Sequence, residues 1–248
     1  MQKVSLILTT YNNAENLIHT LESIEMQDYP IIEVNIKDGG STDETLGIIK
    51  QYVEKSRFSV NWISNQDYGI YDAMNQGYRL ATGDIIVFFN DLFIIPNAIS
   101  KMINLIESDE ECVGAHADIV YATDEKVIRY WKMGSQKSLY TGWMPGHPTL
   151  FLKKEVYEKY GLYDDSYKIS ADYEFMIRIL KNKSNKLLYL PQTIIRMYYG
   201  GTSTSSFGSY ILSLKEGHKA LRNNGIKFAW WIDILRTCRV LLQFIKRK

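Results

Sequence analysis

Two acidic side chains stand where an apolar run gives way to a polar turn, and the first of them is Asp91. The run "DIIVFFN" ends in Asn90 and is followed by Asp91, and the chain becomes apolar again at Leu92. A strand that ends in a lone carboxylate is typical of a metal or phosphate site at a sheet edge. Hard oxygen ligands suit Mg²⁺ or Mn²⁺. Mg²⁺ takes one or two protein carboxylates, and substrate phosphates and waters complete its coordination shell. A single acid at this position can therefore hold a divalent metal.

The second acid, Asp38, ends the run "IIEVNIK" and precedes Gly39 and Gly40. Two glycines allow the backbone to approach a ligand closely. A carboxylate at this point can accept hydrogen bonds from a base N–H or a ribose hydroxyl, which are features of a nucleotide site. The alternative is an Asp-Gly turn that only caps the following helix. The residues alone leave both interpretations open.

Alternating strands and helices in the first hundred residues must position these turns. Short, partly β-branched apolar runs predict strands at 4–8, 31–36, 58–65 and 84–90. Such an order indicates an α/β fold with a mostly parallel sheet and helices on both faces. Ligands bind beyond the carboxyl ends of the strands in these sheets. The four polar turns are therefore expected to converge on one site.

Helices are predicted between the strands from spacing and capping signals. Asn13 is expected to cap a first helix, and Ser41 or Thr42 a second helix whose first turn holds Asp43 and Glu44. The run 69–81 predicts a third helix. In the second half we expect a strand at 127–133, an amphipathic helix at 169–183, a strand pair at 186–199 interrupted by Pro191, and a mobile loop at 200–206.

Composition excludes several classes of protein. Of the 248 residues 46% are hydrophobic and 23% charged, as in ordinary globular proteins, and the net charge of +1 argues against nucleic acid as a partner. Cys112 and Cys238 form no metal or disulfide pattern, which favours a reducing compartment. The N-terminal apolar run is too short for a signal peptide, and no uncharged stretch of about 18 apolar residues predicts a membrane span. We therefore expect a cytoplasmic protein.

The last part of the chain combines aromatic and basic residues. The segment 226–248 contains Phe228, Trp230 and Trp231 together with six Lys and Arg residues, so it is too charged to span a bilayer. An amphipathic helix in the interface of an anionic leaflet is the expectation, with peripheral contact on the inner face of the cell membrane. The alternative is a helix packed on the main domain, which we assign to 1–225.

Four segments in this order resemble the family 2 glycosyltransferases. The segments are "SLILTTYNN", "KDGGSTDET", "DYGIYDAMNQGYRLATGDIIVFFN" and "GLYDDSYKISADYEFMIR", and they cover roughly the first 180 residues. The resemblance implies the nucleotide-sugar-binding GT-A fold. "GIYDAMNQG", "SADYE" and "GGTS" further resemble the branch that builds bacterial polysaccharides such as colanic acid and O-antigen.

The resemblance also implies roles for individual residues. Donor binding, with a UDP-sugar favoured, is implied for Thr9, Tyr11, Asn12, Asp38, Gly39, Asp67 and Asn90. Asp172 is implied as the base of an inverting transfer to a glycan or polyprenyl-linked acceptor, and a helix N-terminus suits a charged carboxylate in that role. Ala171 stands where many relatives have a glutamate, so no paired acid supports Asp172.

The resemblance assigns the metal to Asp91 and leaves further roles open. The turn after "FFN" is about two residues shorter than in relatives, so the alternative is a catalytically impaired nucleotide- or glycan-binding protein. A nucleotidyltransferase is disfavoured because no Gly-rich, Arg-bearing loop lies near the N-terminus. His147 in "PGHPTLF" is a candidate for contact with the acceptor or a phosphate, or else a structural hydrogen-bonding residue. Glu174 is a candidate for the acceptor or for packing.

Overall fold

The computed structural model describes residues 1–123, 126–198 and 207–245. The strands are β1 (Val4–Thr10), β2 (Ile32–Asp38), β3 (Ser59–Ser64), β4 (Ile85–Phe88), β5 (Leu92–Phe93), β6 (Cys112–Ala122), β7 (Val127–Trp131), β8 (Phe151–Lys153) and β9 (Lys186–Tyr198). The helices are α1 (Ala14–Glu25), α2 (Thr45–Lys55), α3 (Ile70–Tyr78), α4 (Ala98–Glu107), α5 (Lys154–Tyr160), α6 (Ala171–Leu180), α7 (Phe207–Asn223) and α8 (Ala229–Ile245). The mobile loop predicted at 200–206 lies outside the described residues.

One sheet in the order β3-β2-β1-β4-β8-β6-β9-β5 organises the protein, with β7 paired to β6. The pairs β1–β2, β1–β4 and β2–β3 are parallel, as the alternating strands and helices predict. From β8 onward the sheet is mixed, because β8 runs antiparallel to both β4 and β6. The predicted α/β class is confirmed, and the parallel arrangement holds for the amino-terminal half.

The central strands are buried on both faces, which explains their nearly continuous apolar sequence. Leu6 of β1 and Val34 of β2 belong to the core under one face of the sheet. Ile7 and Phe88 belong to the core under the other face, where α6 packs. Alternate residues of β1 thus enter opposite cores, and a slip of one residue would exchange them. This constraint fixes where the polar ends of β1 and β4 lie.

Two local predictions require correction. The second helix begins at Thr45 after Glu44, and neither Ser41 nor Thr42 caps it. The Ser41 hydroxyl instead donates to the buried Asp38 carboxylate, which offers a stronger charge-assisted bond. Asn13 does precede the first helix, but its side-chain oxygen accepts from Asn16 rather than from a backbone N–H.

Pro191 does not divide the final strand into a pair. β9 runs continuously through it, and its pairing to β6 shifts register between Ala117–Leu190 and Asp118–Thr193. A bulge accommodates a residue that cannot donate to the ladder, so the proline interrupts the register and not the strand.

The C-terminal helix packs on the rest of the protein with one face. Ile232 is fully buried, and the guanidinium of Arg236 lies 4.2 Å from the ring centroid of Tyr173 on α6. The opposite face is open, with Trp230 59% and Leu241 59% exposed. The packed alternative is therefore observed for one face of α8, and the division of the chain at residue 225 stays a prediction. Across the described ranges, no helix combines the length and apolarity needed to cross a bilayer.

His116 on β6 is fully buried between two aromatic rings. Its imidazole lies 5.3 Å from the Trp143 ring and 5.2 Å from the Tyr189 ring, centroid to centroid. Within the described part of the chain, neither ring nitrogen has a hydrogen-bond partner. Burial without a partner disfavours the charged imidazolium and lowers the pKa of His116 to about 4.

We predict that this histidine destabilises the protein in acid. Its pKa is lower in the folded than in the unfolded chain, so the unfolded state binds the proton first and stability falls as the pH drops from 6.5 toward 4. In His116→Leu, the loss of unfolding free energy between pH 7 and 4 should be smaller by roughly 3 kcal/mol than in the wild type. Urea unfolding at both pH values measures this. The exposed His19→Gln variant is the control, and an equal loss in His116→Leu and wild type would contradict the prediction.

Candidate active site

A cavity of about 1510 Å³ opens beyond the carboxyl ends of the parallel strands. It is lined by side chains from β1, β4, the α3 and α6 regions, β7 and α8. Among the residues singled out from the sequence, it contains Thr9, Tyr11, Asp67, Asn90, Asp91, His147 and Asp172. Asn12, Asp38, Gly39 and Glu174 do not line it. The expected convergence of strand-end turns is therefore present, and the predicted ligand contacts of the four residues that do not line the cavity stay predictions.

Lys37, which the sequence analysis did not single out, holds two of the turns together. Its side chain is fully buried at the end of β2, and its ammonium donates to the carbonyl oxygens of Asp38 and Asn65 at 2.7 Å each. It also forms an ion pair with the Asp67 carboxylate at 2.9 Å. A buried ammonium must satisfy its charge and all three donors, so the three oxygens fix the positions of these turns.

Asp38 is an internal part of its turn. The carboxylate accepts from the backbone N–H groups of Gly40 and Ser41 at 3.0 Å each, and from the Ser64 hydroxyl at 2.6 Å. Burial raises the pKa of Asp38, but these hydrogen bonds together with that from the Ser41 hydroxyl outweigh it and lower the pKa. The carboxylate thus shapes its own turn and does not line the cavity, and its predicted contact with a donor stays a prediction.

Asn12 and Gly39 also shape the wall without lining the cavity. The Asn12 side-chain oxygen accepts from the Thr42 N–H at 2.8 Å, which joins the turn after β1 to the turn after β2. A Cβ atom at Gly39 would stand 3.0 Å from an Asp67 carboxylate oxygen and 3.1 Å from the Tyr11 ring. A side chain at position 39 would therefore be in tight contact with two cavity side chains.

Asn90 and Asp91 lie at the end of β4. The Asn90 amide accepts from the Thr9 N–H and donates to the Thr9 hydroxyl, both at 2.8 Å, and so fastens β4 to β1. The flanking Phe89 and Phe93 rings stack at 4.0 Å in the core, which fixes the turn from both sides. Despite the short turn, Asp91 lines the cavity.

The Asp91 carboxylate fits a divalent cation. Among the residues that the structure describes, none donates a hydrogen bond or forms an ion pair with it, and burial raises the pKa of Asp91 to about 7. A desolvated, unpartnered carboxylate gains much from a cation. The described residues offer no cluster of three acid, His or Cys ligands, so a metal here would need oxygens from a bound ligand and water.

Asp172 reaches the same cavity from α6. It stands in the first turn of that helix after Ser170, where the helix dipole favours a carboxylate. The hydroxyl of Tyr71 on α3 donates to one Asp172 oxygen at 2.9 Å. Burial, and then the Asp172 charge, raises the pKa of Tyr71, so this tyrosine stays a proton donor in the bond. One carboxylate oxygen is fixed by Tyr71 and the other remains for a ligand.

His147 lies beside this acid in a group of aromatic rings. Its Nε2 is 2.6 Å from the Tyr163 hydroxyl, and the Tyr163 backbone exchanges two hydrogen bonds with the Asn75 amide. Burial lowers the pKa of His147, and the nearby Asp172 charge only partly opposes this. A neutral imidazole on the cavity wall can accept or donate a hydrogen bond to a ligand hydroxyl.

Glu174 has a packing role. Its carboxylate accepts from Arg178 Nε at 2.9 Å and from the Asn224 side-chain amide at 2.9 Å, so it joins α6 to the end of α7. The packing alternative raised from the sequence is what the structure shows, and contact with an acceptor is not.

The sequence analysis missed four residues that shape this site: Lys37, Tyr71, Arg236 and Arg239. A signal existed for Lys37, since a lysine inside an otherwise apolar strand needs buried partners. Tyr71 gave no signal, because its partner Asp172 is 101 residues away. The two arginines stand in a tail whose basic residues were attributed to a membrane surface.

The fold is that of the GT-A glycosyltransferases. A mannosyltransferase from Pyrobaculum calidifontis, solved with GDP-Man and Mn²⁺, superposes with a TM-score of 0.67 at 15% identity over 100% of this chain and 76% of that one. S. aureus TarS 1-349, solved with UDP-GlcNAc, superposes with a TM-score of 0.65 at 17% identity, over 98% and 71%. These similarities establish the fold.

Sequence similarity establishes the family. The profile described as "Glycosyl transferase family 2" matches residues 5–185, so the chain belongs to that family and is a glycosyltransferase. A PGL/p-HBAD biosynthesis glycosyltransferase of Mycobacterium bovis is 27% identical over 205 residues, 81% of this chain and 79% of that protein. An uncharacterized glycosyltransferase of Mycobacterium tuberculosis is 29% identical over 181 residues, 71% of this chain and 68% of that protein.

Proposed function

We propose that this glycosyltransferase moves a sugar, with inversion, from a nucleotide-sugar to a glycan or lipid-linked acceptor in cell-surface polysaccharide synthesis. A UDP-sugar is the favoured donor, and the colanic-acid and O-antigen branch is the favoured context. The observation that carries the proposal is that Asp172, at a helix start, lines the same cavity as the strand-end residues Thr9, Asn90 and Asp91. The two similar structures were solved with GDP-Man and with UDP-GlcNAc, which supports a nucleotide-sugar as the donor.

The proposed reaction is one direct displacement. Asp172 takes the proton of an acceptor hydroxyl, the oxygen attacks the anomeric carbon from the side opposite the nucleotide, and the sugar–phosphate bond breaks. The electron pair of that bond leaves with the nucleoside diphosphate, so the anomeric centre inverts. Tyr71 fixes one oxygen of the base, and His147 lies close enough to orient the acceptor.

A divalent metal, Mg²⁺ or Mn²⁺, would be held by Asp91 and the donor phosphates. When bound, it would neutralise the negative charge that develops on the diphosphate. Thr9 and Asn90 shape the adjacent wall through their mutual hydrogen bonds, and Asp67 is kept in place by Lys37. Tyr11 is 63% exposed at the cavity edge, where its ring can stack on a nucleotide base.

A protein that binds the nucleotide or glycan without turnover is the alternative from another class. The short turn before Asp91 motivated it. The position of Asp91 on the cavity wall supports the enzyme, because the carboxylate has not been withdrawn from the site.

We predict that Asp172→Asn lowers the transfer rate at least about 10²-fold and preserves nucleotide affinity, because only proton abstraction is lost. The measurements are turnover of UDP-sugars and calorimetric titration of UDP. Asp165→Asn, an exposed acid ahead of α6 that does not line the cavity, is the matched control. Near-normal transfer by Asp172→Asn would remove this residue from the mechanism.

We predict that Asp91→Ala abolishes the Mn²⁺-dependent part of UDP binding, because no neighbouring described acid can replace it. Titration of UDP with and without Mn²⁺ isolates that part, and Asp165→Asn again serves as the control. Metal should bind weakly without the nucleotide, which supplies the other oxygens. Mn²⁺-dependent binding that survives in Asp91→Ala would contradict the assignment.

We also propose peripheral membrane contact through the open face of α8. Trp230 and Trp231 are 59% and 46% exposed on it, and basic residues flank the helix in sequence. Such a face suits the interface of an anionic leaflet. Replacing both tryptophans by alanine should reduce cosedimentation with anionic vesicles several-fold, whereas Met26→Ala, equally exposed at the end of α1, should not. Undiminished sedimentation of the double variant would refute this contact.

A further inference from the structure

We propose that Arg236 and Arg239 of α8 form a subsite for an anionic group of the acceptor, a phosphate ester, on the side of the cavity away from the strand ends. This inference rests on the proposed function, which assigns the strand-end side of the cavity to the nucleotide-sugar donor. It adds a chemical requirement on the acceptor: the molecule that offers its hydroxyl to Asp172 carries a phosphate that is bound but not transformed.

The location follows from the contacts of Arg236. Its guanidinium lies over the Tyr173 ring at 4.2 Å, and Tyr173 directly follows Asp172 at the start of α6. Both arginines line the cavity. Asp91 and Asn90 lie on the strand-end wall. Asp172 and the two α8 arginines therefore border the same cavity, so an acceptor bound at Asp172 can extend to the arginines.

The arginines are held by neutral groups. Arg236 Nη2 donates to the Ser213 carbonyl at 3.3 Å, and Arg239 Nε donates to the Thr141 carbonyl at 2.9 Å. Over the described ranges, neither forms an ion pair with a carboxylate, and the adjacent Asp233 pairs with His218 at 2.7 Å. Two half-buried guanidinium groups on the cavity wall thus have no carboxylate paired with them.

The protein makes specific room for Arg236. A Cβ atom at Gly217 of α7 would stand 2.3 Å from Arg236 Nη1, so the guanidinium in its observed position occupies the space beside this glycine. Its Nη1 atom is buried without a hydrogen-bond partner in the described structure. A packing role alone does not explain a charged side chain that leaves a donor unsatisfied, because an apolar side chain would fill the space at lower cost.

Phosphate is the anion that this arrangement fits best. Guanidinium groups bind phosphate oxygens with paired N–H donors, and two of them one helical turn apart present donors from neighbouring directions. Lys132 and Lys168 also line the cavity and add positive charge to its wall. Across α8 from this face, Leu214, Ile234 and Cys238 line a second cavity of about 320 Å³, and Leu214 and Thr237 line both. An apolar tail attached to the phosphate could continue into it.

The test uses n-octyl phosphate as the probe and the full chain saturated with UDP and Mn²⁺, so that the donor region is filled. Calorimetry should show binding of octyl phosphate to the wild type and little binding of neutral octyl β-glucoside. Arg239→Gln should weaken octyl phosphate binding about tenfold or more and leave UDP affinity unchanged. Arg222→Gln, the same charge change at an exposed site of α7 outside the cavity, should bind like the wild type.

Arg236→Lys is the second variant. It keeps the positive charge at this packed position, so it is less disruptive to folding than removal of the charge. It should fold, as judged by its thermal transition, and should still lose affinity because it lacks the paired donors. Inorganic phosphate in place of octyl phosphate separates the sources: equal affinity indicates that the phosphate alone is bound, and tighter octyl phosphate indicates a phosphorylated lipid.

Three outcomes would overturn the subsite: no binding of octyl phosphate to the wild type, equal binding by Arg239→Gln, or a loss of UDP affinity in that variant. The last would assign the arginines to the donor diphosphate. Absence of sugar turnover by the wild type would contradict the proposed function and leave the octyl phosphate result intact, so the two failures are distinguishable.

Discussion

The buried ammonium of Lys37 is the interaction on which the strand-end half of the site depends. An unpaired charge in the interior is very unfavourable, so the surrounding chain must supply oxygens at fixed positions. It does so with the carbonyls of Asp38 and Asn65 and the carboxylate of Asp67. The turn after β2 and the segment before α3 are therefore joined through one atom. Asp67 is held on the cavity wall as a consequence, and a side chain at position 39 would be in tight contact with it.

The second half of the protein brings the acid chemistry to this wall. α6 packs under the sheet face that contains Ile7 and Phe88, and this places its first turn opposite the strand ends. The Tyr71–Asp172 hydrogen bond then joins the α3 region to α6. Because the tyrosine is buried and its pKa is raised, the bond has one direction, and the carboxylate is held as an acceptor. The geometry around Asp172 is therefore a property of the contact between the two halves and of neither alone.

α8 shows how one amphipathic helix can serve two surroundings. Its inner face carries Arg236 and Arg239 toward the cavity, and its outer face carries Trp230 and Leu241 toward the exterior. The basic and aromatic residues are mixed along the sequence, but the helical period separates them in space. The C-terminal segment, whose composition favours contact with a membrane surface, therefore also forms part of the cavity wall. The proposed phosphate subsite and the proposed membrane contact lie on opposite sides of the same 17-residue helix.

The sequence by itself determined the parallel half of the sheet and the convergence of its polar turns, and it singled out Asp91 and Asp172, which both line the cavity. These features follow from local periodicity, from the rule that parallel strands end at one edge, and from motifs that resemble a known family. Only the tertiary structure decided what each polar residue contacts. The Asp38 carboxylate accepts four hydrogen bonds. Glu174 accepts hydrogen bonds from Arg178 and Asn224, and the Asn90 amide is hydrogen-bonded to Thr9. Tyr71, Lys37 and the α8 arginines acquire their roles from partners distant in the chain. The physical reason is that a hydrogen bond or ion pair depends on distances of about 3 Å between groups, which sequence spacing fixes within one helix or strand but not between elements.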